Sequence, residues 1–308
     1  MKISVVIPVY GCPEALRPLH ERLVNTLKKI TEDYEIILVN DACPKDSWSV
    51  LQEICAKDKN VVGINLSRNF GQKNATNAGI EYSTGDYVVL MDCDLQDKPE
   101  AIEELYHKIQ EGYDIVYVAR QERKDNFFVK FCSKMFYKVY NYMVEGHFDS
   151  DIANYSMVRR QIVDEYCKLP EHNKDFVTIL SWMGYRSTII RVESDRRAEG
   201  KSSYNMRRKI NLALDMITFQ SNKPLHFFIK LGMGIGFLAL CYLVYQVAMY
   251  FVDGTAPMGW TSTIAIVSLI GGLQLVSLGV IGIYIGNIFN ETKNRKSYFI
   301  QEILNDRL

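Results

Sequence analysis

The sequence predicts an α/β protein: an open, mostly parallel sheet wrapped by helices, followed by two helices built for a lipid environment. Two observations carry this. Apolar, β-branched runs alternate with longer helical stretches through the first 120 residues, the pattern of strands buried on both faces. Then, between Leu231 and Asn290, the only charged residue is Asp253.

The strands are expected at 3–10, 34–40, 61–66, 86–91 and 114–119, each a short run rich in Val, Ile and Leu. Helices are expected between them at 14–30, 47–57, 72–82 and 99–110. Pro99 and Glu100 suit a first turn, where proline lacks no needed donor and an acid meets the helix dipole. From 126 to 195 the pattern loosens, leaving aromatic-rich helix at 127–144, a short helix at 176–184 and a strand at 186–192. The runs 226–251 and 261–289 are each long enough to cross a hydrocarbon core, which needs about 20 apolar residues. Two buried core helices are the alternative. Lys223 and Lys230 on one flank and Lys293, Arg295 and Lys296 on the other place both termini in the cytoplasm, with the short loop at 252–260 outside.

Residues 196–209 carry six basic side chains and one acidic one, then lead into apolar residues at helical spacing up to Phe219. This reads as an interfacial helix on an anionic membrane surface, or else as an ordinary solvated helix face. The domain organisation expected is therefore a cytoplasmic catalytic domain at 1–195 and basic juxtamembrane helices at 196–225. A transmembrane pair follows at 226–289, then a cytoplasmic tail at 290–308.

Composition narrows the function. Thirty-six Lys plus Arg balance thirty-six Asp plus Glu, which argues against a dedicated nucleic-acid binder. With 48% hydrophobic and 23% charged residues the chain is not disordered. Seven cysteines form no C-x-x-C pair and read as reduced cytosolic thiols. The N-terminus shows no signal peptide pattern.

In an open α/β sheet, ligands bind beyond the carboxyl ends of the strands, and the notable polar residues fall there: Tyr10, Asp41, Arg68, Asp92 and Arg120. Asp92-Cys93-Asp94 closes a hydrophobic run. Residues two apart in an extended segment point the same way, so both carboxylates can converge on Mg²⁺ or Mn²⁺ and leave the remaining positions to water and phosphates. Asp41 can accept hydrogen bonds from a base or ribose, or can serve as a turn or cap residue. The run Arg68-Asn69-Phe70-Gly71-Gln72-Lys73 can sit over a diphosphate, or can be plain surface.

Taken together, these motifs resemble family 2 glycosyltransferases, and among them the membrane-anchored polyprenyl-phosphate enzymes (dolichol-phosphate mannose synthases and bactoprenol glucosyltransferases). The matching segments are Ser4-Val5-Val6-Ile7-Pro8-Val9-Tyr10, Val39-Asn40-Asp41, Arg68-Asn69-Phe70-Gly71 and Met91-Asp92-Cys93-Asp94-Leu95-Gln96-Asp97. Val118-Ala119-Arg120, Gly200-Lys201-Ser202-Ser203-Tyr204 and Asn222-Lys223-Pro224-Leu225 follow in order.

The resemblance implies a nucleotide-diphospho-sugar transferase fold of the GT-A type. It also implies inverting transfer of a sugar from a UDP- or GDP-sugar to a polyprenyl phosphate at the inner (cytoplasmic) membrane. By it, Pro8, Tyr10, Asp41, Arg68 and Lys73 would line the donor pocket, and Asp92, Asp94 and Gln96 would hold a divalent metal and the donor diphosphate. Arg120 and Asn154 would act at the reacting centre, and Arg197, Lys201 and Ser203 would meet the acceptor phosphate. A homo-oligomer, a tetramer, is the assembly it implies.

Three departures stand out. Tyr10-Gly11-Cys12 replaces the usual Y-N-E. Asn154-Tyr155-Ser156-Met157 stands for D-F-R-L, so an aspartate becomes Asn154. Lys73 is moved one place. A processive polysaccharide synthase would typically carry Q-x-x-R-W, which is absent; the nearest tryptophan is Trp182. A membrane scaffold without catalysis would not be expected to keep Asp92, Asp94, Gln96 and Arg120.

Overall fold

The computed structural model describes residues 1–120, 152–172, 174–192, 222–253, 259–293 and 295–306. They fall into two compact units. One takes residues 1–120, 152–192 and 295–306; the other takes 222–253 and 259–293.

The first unit is built on one eight-stranded sheet in the order β7-β5-β6-β4-β1-β2-β3-β8. Strands β1 (Ile3–Val9), β2 (Tyr34–Asn40), β3 (Val61–Leu66) and β4 (Tyr87–Leu90) lie parallel to one another. β5 (Ile115–Arg120) and β7 (Ser187–Val192) also pair in parallel. β6 (Ile152–Arg159) runs antiparallel between β4 and β5, and β8 (Ile300–Leu304) is an antiparallel edge on β3. The sheet is thus mixed where the sequence predicted mostly parallel strands. The run at 152–159 reads as too polar for a buried strand, yet Tyr155, Ser156, Met157 and Val158 are all fully buried there. The strand IQEIL, in turn, lies in the stretch expected as the cytoplasmic tail, for which no strand was predicted.

Side chains alternate across the pleat. Val5, Ile7 and Val9 face the layer of α1 (Pro13–Leu27), α2 (Ser47–Lys57) and α4 (Ala101–Gln110). Val6, Ile37 and Val39 face the layer of α3 (Gln72–Tyr82), α5 (Arg160–Lys168) and α6 (Phe176–Met183). Helix α1 turns Leu16, Leu19, Leu23 and Leu27 inward at three- and four-residue spacing, the stripe that holds an amphipathic helix on a sheet. Helix α3 comes closer still: a Cβ on Gly79 would lie 2.4 Å from Val6 Cγ1, so only glycine permits this approach.

The carboxyl end of the chain is well anchored. Asn305 Nδ2 donates to the carbonyls of Cys55, Asp58 and Val61 at 2.8, 3.2 and 2.8 Å. Tyr298 and Tyr82 donate their hydroxyls to Glu81 and Asp306, and the amide of Ser67 donates to the Phe299 carbonyl at 2.9 Å.

The second unit consists of α7 (Lys223–Asp253) and α8 (Trp260–Thr292). Within them Lys223–Tyr242 and Leu269–Thr292, with mean hydropathies of 1.6 and 1.9, are long and apolar enough to cross a membrane. Neither span is buried inside the protein, so these are not core helices. The helix expected at 127–144 and the basic segment at 196–219 lie outside the described residues, as does most of the loop at 252–260.

Candidate active site

The polar residues that end β1, β2, β3 and β4 meet along one edge of the sheet. Pairing of β1 with β4 stops at Val6, two residues before Pro8, so a residue without an amide is tolerated there. After Val9 the chain exposes Tyr10 and turns through Gly11, whose φ of +80° favours glycine. The Gly11 amide donates to Cys43 Sγ at 3.1 Å. Burial pushes the Cys43 thiol up, but hydrogen bonds led by Ser47 and the Gly11 amide bring it below its ordinary value.

Asp41, just beyond β2, is buried and holds the next loop. Its Oδ1 accepts the Phe70 amide at 2.7 Å and its Oδ2 the Gly71 amide at 2.9 Å. Burial raises its carboxyl above the usual range, against the pull of those two amides and the Arg68 charge. A carboxylate has about four acceptor positions, so these two bonds leave capacity for a ligand. Arg68 stacks its guanidinium 4.1 Å above the Phe70 ring, and Phe70 meets Phe299 of the tail at 6.3 Å. Lys73 forms a 3.1 Å ion pair with Asp175, the cap of α6.

Asp92, Cys93 and Asp94 follow β4 in alternation: Cys93 is buried and the two aspartates are half-buried. The turn that follows is closed by its own side chains. Asp97 Oδ2 accepts the Asp92 amide at 3.1 Å, and Asp94 Oδ1 accepts the Gln96 amide at 3.1 Å. Leu95 sits at φ +62°, a left-handed conformation that a leucine adopts only when its surroundings impose it. Two neighbours brace the turn. Gln72 Nε2 donates to Asp92 Oδ1 at 2.8 Å, and the hydroxyl of buried Tyr155 donates to the Lys98 carbonyl at 2.9 Å.

Cys93 is also disulfide-bonded to Cys12, which corrects the expectation that every cysteine is a free thiol. The sequence hides the pair because 81 residues separate them. Topology brings them together: β1 and β4 are adjacent in the sheet, and the Gly11 turn carries Cys12 toward the end of its neighbour.

Arg120 ends β5 at the same edge, since β5 runs parallel to β4 with β6 between them. The β4–β6 register pairs Leu90 with Ser156. Exposed Asn154 lies two residues before Ser156 on β6, toward the end of the sheet where β4 gives way to Asp92. Arg197, Lys201 and Ser203 lie outside the described residues. Sequence reasoning missed Gln72, Asp97, Tyr155 and the disulfide. All three residues stood inside segments already singled out, but none had been given a role.

Two carboxylates and an amide oxygen, from Asp92, Asp94 and Gln96, suit Mg²⁺ or Mn²⁺ in a site completed by water and phosphate oxygens. Among the described residues no group of three or more His, Cys, Asp or Glu side chains gathers to hold a metal alone. The donor set fits a cation that substrate helps to bind.

Residues 4–167 match the model of glycosyl transferase family 2. The chain belongs to this family. Over 304 residues this family 2 glycosyltransferase is 36% identical to a Synechocystis protein named only as an uncharacterized glycosyltransferase, covering 98% of this chain and 96% of the relative. It is 32% identical to the bactoprenol glucosyl transferase of Shigella phage SfX, covering 98% and 99% of the two chains. It is 34% identical to the undecaprenyl-phosphate 4-deoxy-4-formamido-L-arabinose transferase of Yersinia pestis, covering 98% and 94%.

Proposed function

We propose that this glycosyltransferase moves a sugar from a UDP- or GDP-sugar to a polyprenyl phosphate at the cytoplasmic face of a membrane, with inversion at the anomeric carbon. The relatives named for bactoprenol and undecaprenyl phosphate support the acceptor class. One structural observation supports the donor class above the rest: Asp41 fixes the loop at 70–71, and the next residue, Gln72, reaches Asp92. On this reading those bonds would tie a nucleotide pocket at Asp41 to a diphosphate site at Asp92.

Pro8, Tyr10 and Asp41 would line the nucleotide side, with the exposed Tyr10 ring offering a stacking face. Arg68 and Lys73 would lie toward the diphosphate. Asp92, Asp94 and Gln96 would hold Mg²⁺ or Mn²⁺, which when bound stabilises the departing diphosphate as a Lewis acid. A phosphate monoester has a second pKa of about 6 and is largely dianionic at neutral pH. It attacks without a strong base, so Asn154 would need only to position it where an aspartate is usual. Arg120, with Arg197, Lys201 and Ser203 from the basic segment, would meet phosphates of donor and acceptor.

Residues 152–192 before the helical pair and 295–306 after it belong to the same folded unit. If α7 and α8 span the membrane, the chain on either side of them lies on one face, and the flanking Lys and Arg residues support the cytoplasmic face. The deciding experiment is sugar transfer by the purified full-length protein to undecaprenyl phosphate, across UDP- and GDP-sugars, with Mg²⁺, with Mn²⁺ and with chelator. A lipid-linked monosaccharide made from one donor is the expected result. Transfer only onto a growing polysaccharide would overturn the reading.

A further inference from the structure

We propose that Cys12 and Cys93 form a reversible thiol–disulfide site that sets the conformation of the turn at 92–97, closed by disulfide oxidants and opened by dithiols. The bond lies inside the motif itself. Cys93 stands between Asp92 and Asp94, and Cys12 begins the entry to α1 directly after the Tyr10–Gly11 elbow. Both cysteines are largely covered, 9% and 7% exposed, but the elbow beside them is open, with Tyr10 54% exposed.

The consequence for the turn is mechanical. Two unbonded sulfurs cannot approach as closely as two bonded ones, so opening the bond pushes Cys93 away from Cys12. The turn it pushes on already holds Leu95 in a left-handed conformation, which persists only under several simultaneous constraints. Those constraints are the disulfide, the Asp97 bond to the Asp92 amide, the Gln72 bond to Asp92 and the Tyr155 bond to the Lys98 carbonyl. Losing the one covalent member frees the backbone on which both aspartates ride.

The other described cysteines differ in kind. Cys55 is buried, and that burial pushes its thiol up to about 11. Cys167 is also raised by burial. Cys43 alone among them is shifted the other way, and its sulfur sits on the Gly11 amide, one residue from Cys12. It is placed to speed exchange at the pair without belonging to it.

Closing the bond balances as follows. The Cys12 and Cys93 thiols give up two electrons and two protons, and one disulfide oxidant RSSR becomes two RSH by way of a mixed disulfide. A dithiol reverses the exchange: it supplies two electrons and two protons, restores the two thiols by way of a mixed disulfide, and leaves as its own cyclic disulfide.

This inference rests on the proposed function only in taking the turn as the metal site; the conformational claim is independent of it. The test uses the full-length protein equilibrated with oxidised glutathione or with dithiothreitol. Differential alkylation and mass spectrometry read the state of each cysteine, hydrogen exchange reads residues 92–97, and titration with Mn²⁺ alone reads metal binding. Expected are a Cys12–Cys93 linked peptide in the oxidised sample, exchange in the turn about tenfold slower than in the reduced one, and Mn²⁺ bound more tightly by the oxidised form. Cys12→Ser and Cys93→Ser should resemble the reduced protein under both conditions, whereas Cys55→Ser should keep the response and Cys43→Ser should change only its rate. Absence of the linked peptide, or equal exchange of the turn in the two states of the unmodified protein, overturns the proposal. Differing exchange without Mn²⁺ binding in either state would sustain the thiol–disulfide site and remove the metal from the proposed function.

Discussion

Gln72 Nε2 lies 2.8 Å from Asp92 Oδ1, so the first residue of α3 steadies the first carboxylate after β4. One amide thereby links two loops that the sequence places twenty residues apart. An amide donor is the right partner. It orients the carboxylate oxygen without neutralising it, as a lysine would.

Removing that donor tests the link. Gln72→Ala should lower transfer about tenfold, since a hydrogen bond to a charged group contributes about 1.5–3 kcal/mol. The metal concentration needed for half-maximal activity should rise at the same time. Gln72→Asn, too short to reach, should resemble alanine, and metal titration of initial rates would show whether it does.

Asp92→Asn and Asp94→Asn should each lower transfer at least a hundredfold while thermal unfolding shifts by less than about 1 kcal/mol. Asparagine keeps the oxygens that accept from Gln72 and from the Gln96 amide, so the turn should survive. Wild-type rates in either variant would remove the carboxylates from the reaction.

Asp41→Ala leaves the amides of Phe70 and Gly71 without their acceptor in a buried setting, at a cost of about 2–4 kcal/mol. Both unfolding temperature and affinity for the nucleotide donor should fall. Calorimetry with and without UDP or GDP would separate the two losses.

Stability should also depend on pH through Glu35 at the opposite edge of the sheet. Burial alone would raise its carboxyl, but Lys2 at 2.5 Å, the Ser4 hydroxyl at 2.6 Å and the Thr84 amide at 2.7 Å hold it below its ordinary 4.5. The folded protein therefore binds this proton less readily than the unfolded chain. The stabilisation is complete above the unfolded value and is lost as pH falls through the lower, folded one. Melting curves between pH 3 and 6, taken as about one pH unit either side of that carboxylate range, should fall more steeply for wild type than for Glu35→Gln.

Strands β1 to β5 were legible because each is largely buried on both faces and reads as a mainly apolar run, as in Val5-Val6-Ile7. The motif residues were legible because strand ends concentrate polar groups. β6 was not, because Asn154 and Ser156 dilute its apolar face and its burial comes from the strands on either side. The cysteine pair and the strand at 300–304 were beyond reach for a different reason. Each depends on which strands become neighbours, and no local pattern encodes that across 81 residues, still less between β3 and a partner near the chain's end.

The placement of β8 also sets the order in which the protein can be finished. Its five residues lie downstream of both apolar helices, so a ribosome makes them only after the helical pair has been synthesised. Until then β3 presents an open edge, a template for pairing with any other strand. Completion of the sheet thus waits on synthesis of both helices, and nascent chains stalled within α8 should remain protease-sensitive along β3 while chains that include β8 resist.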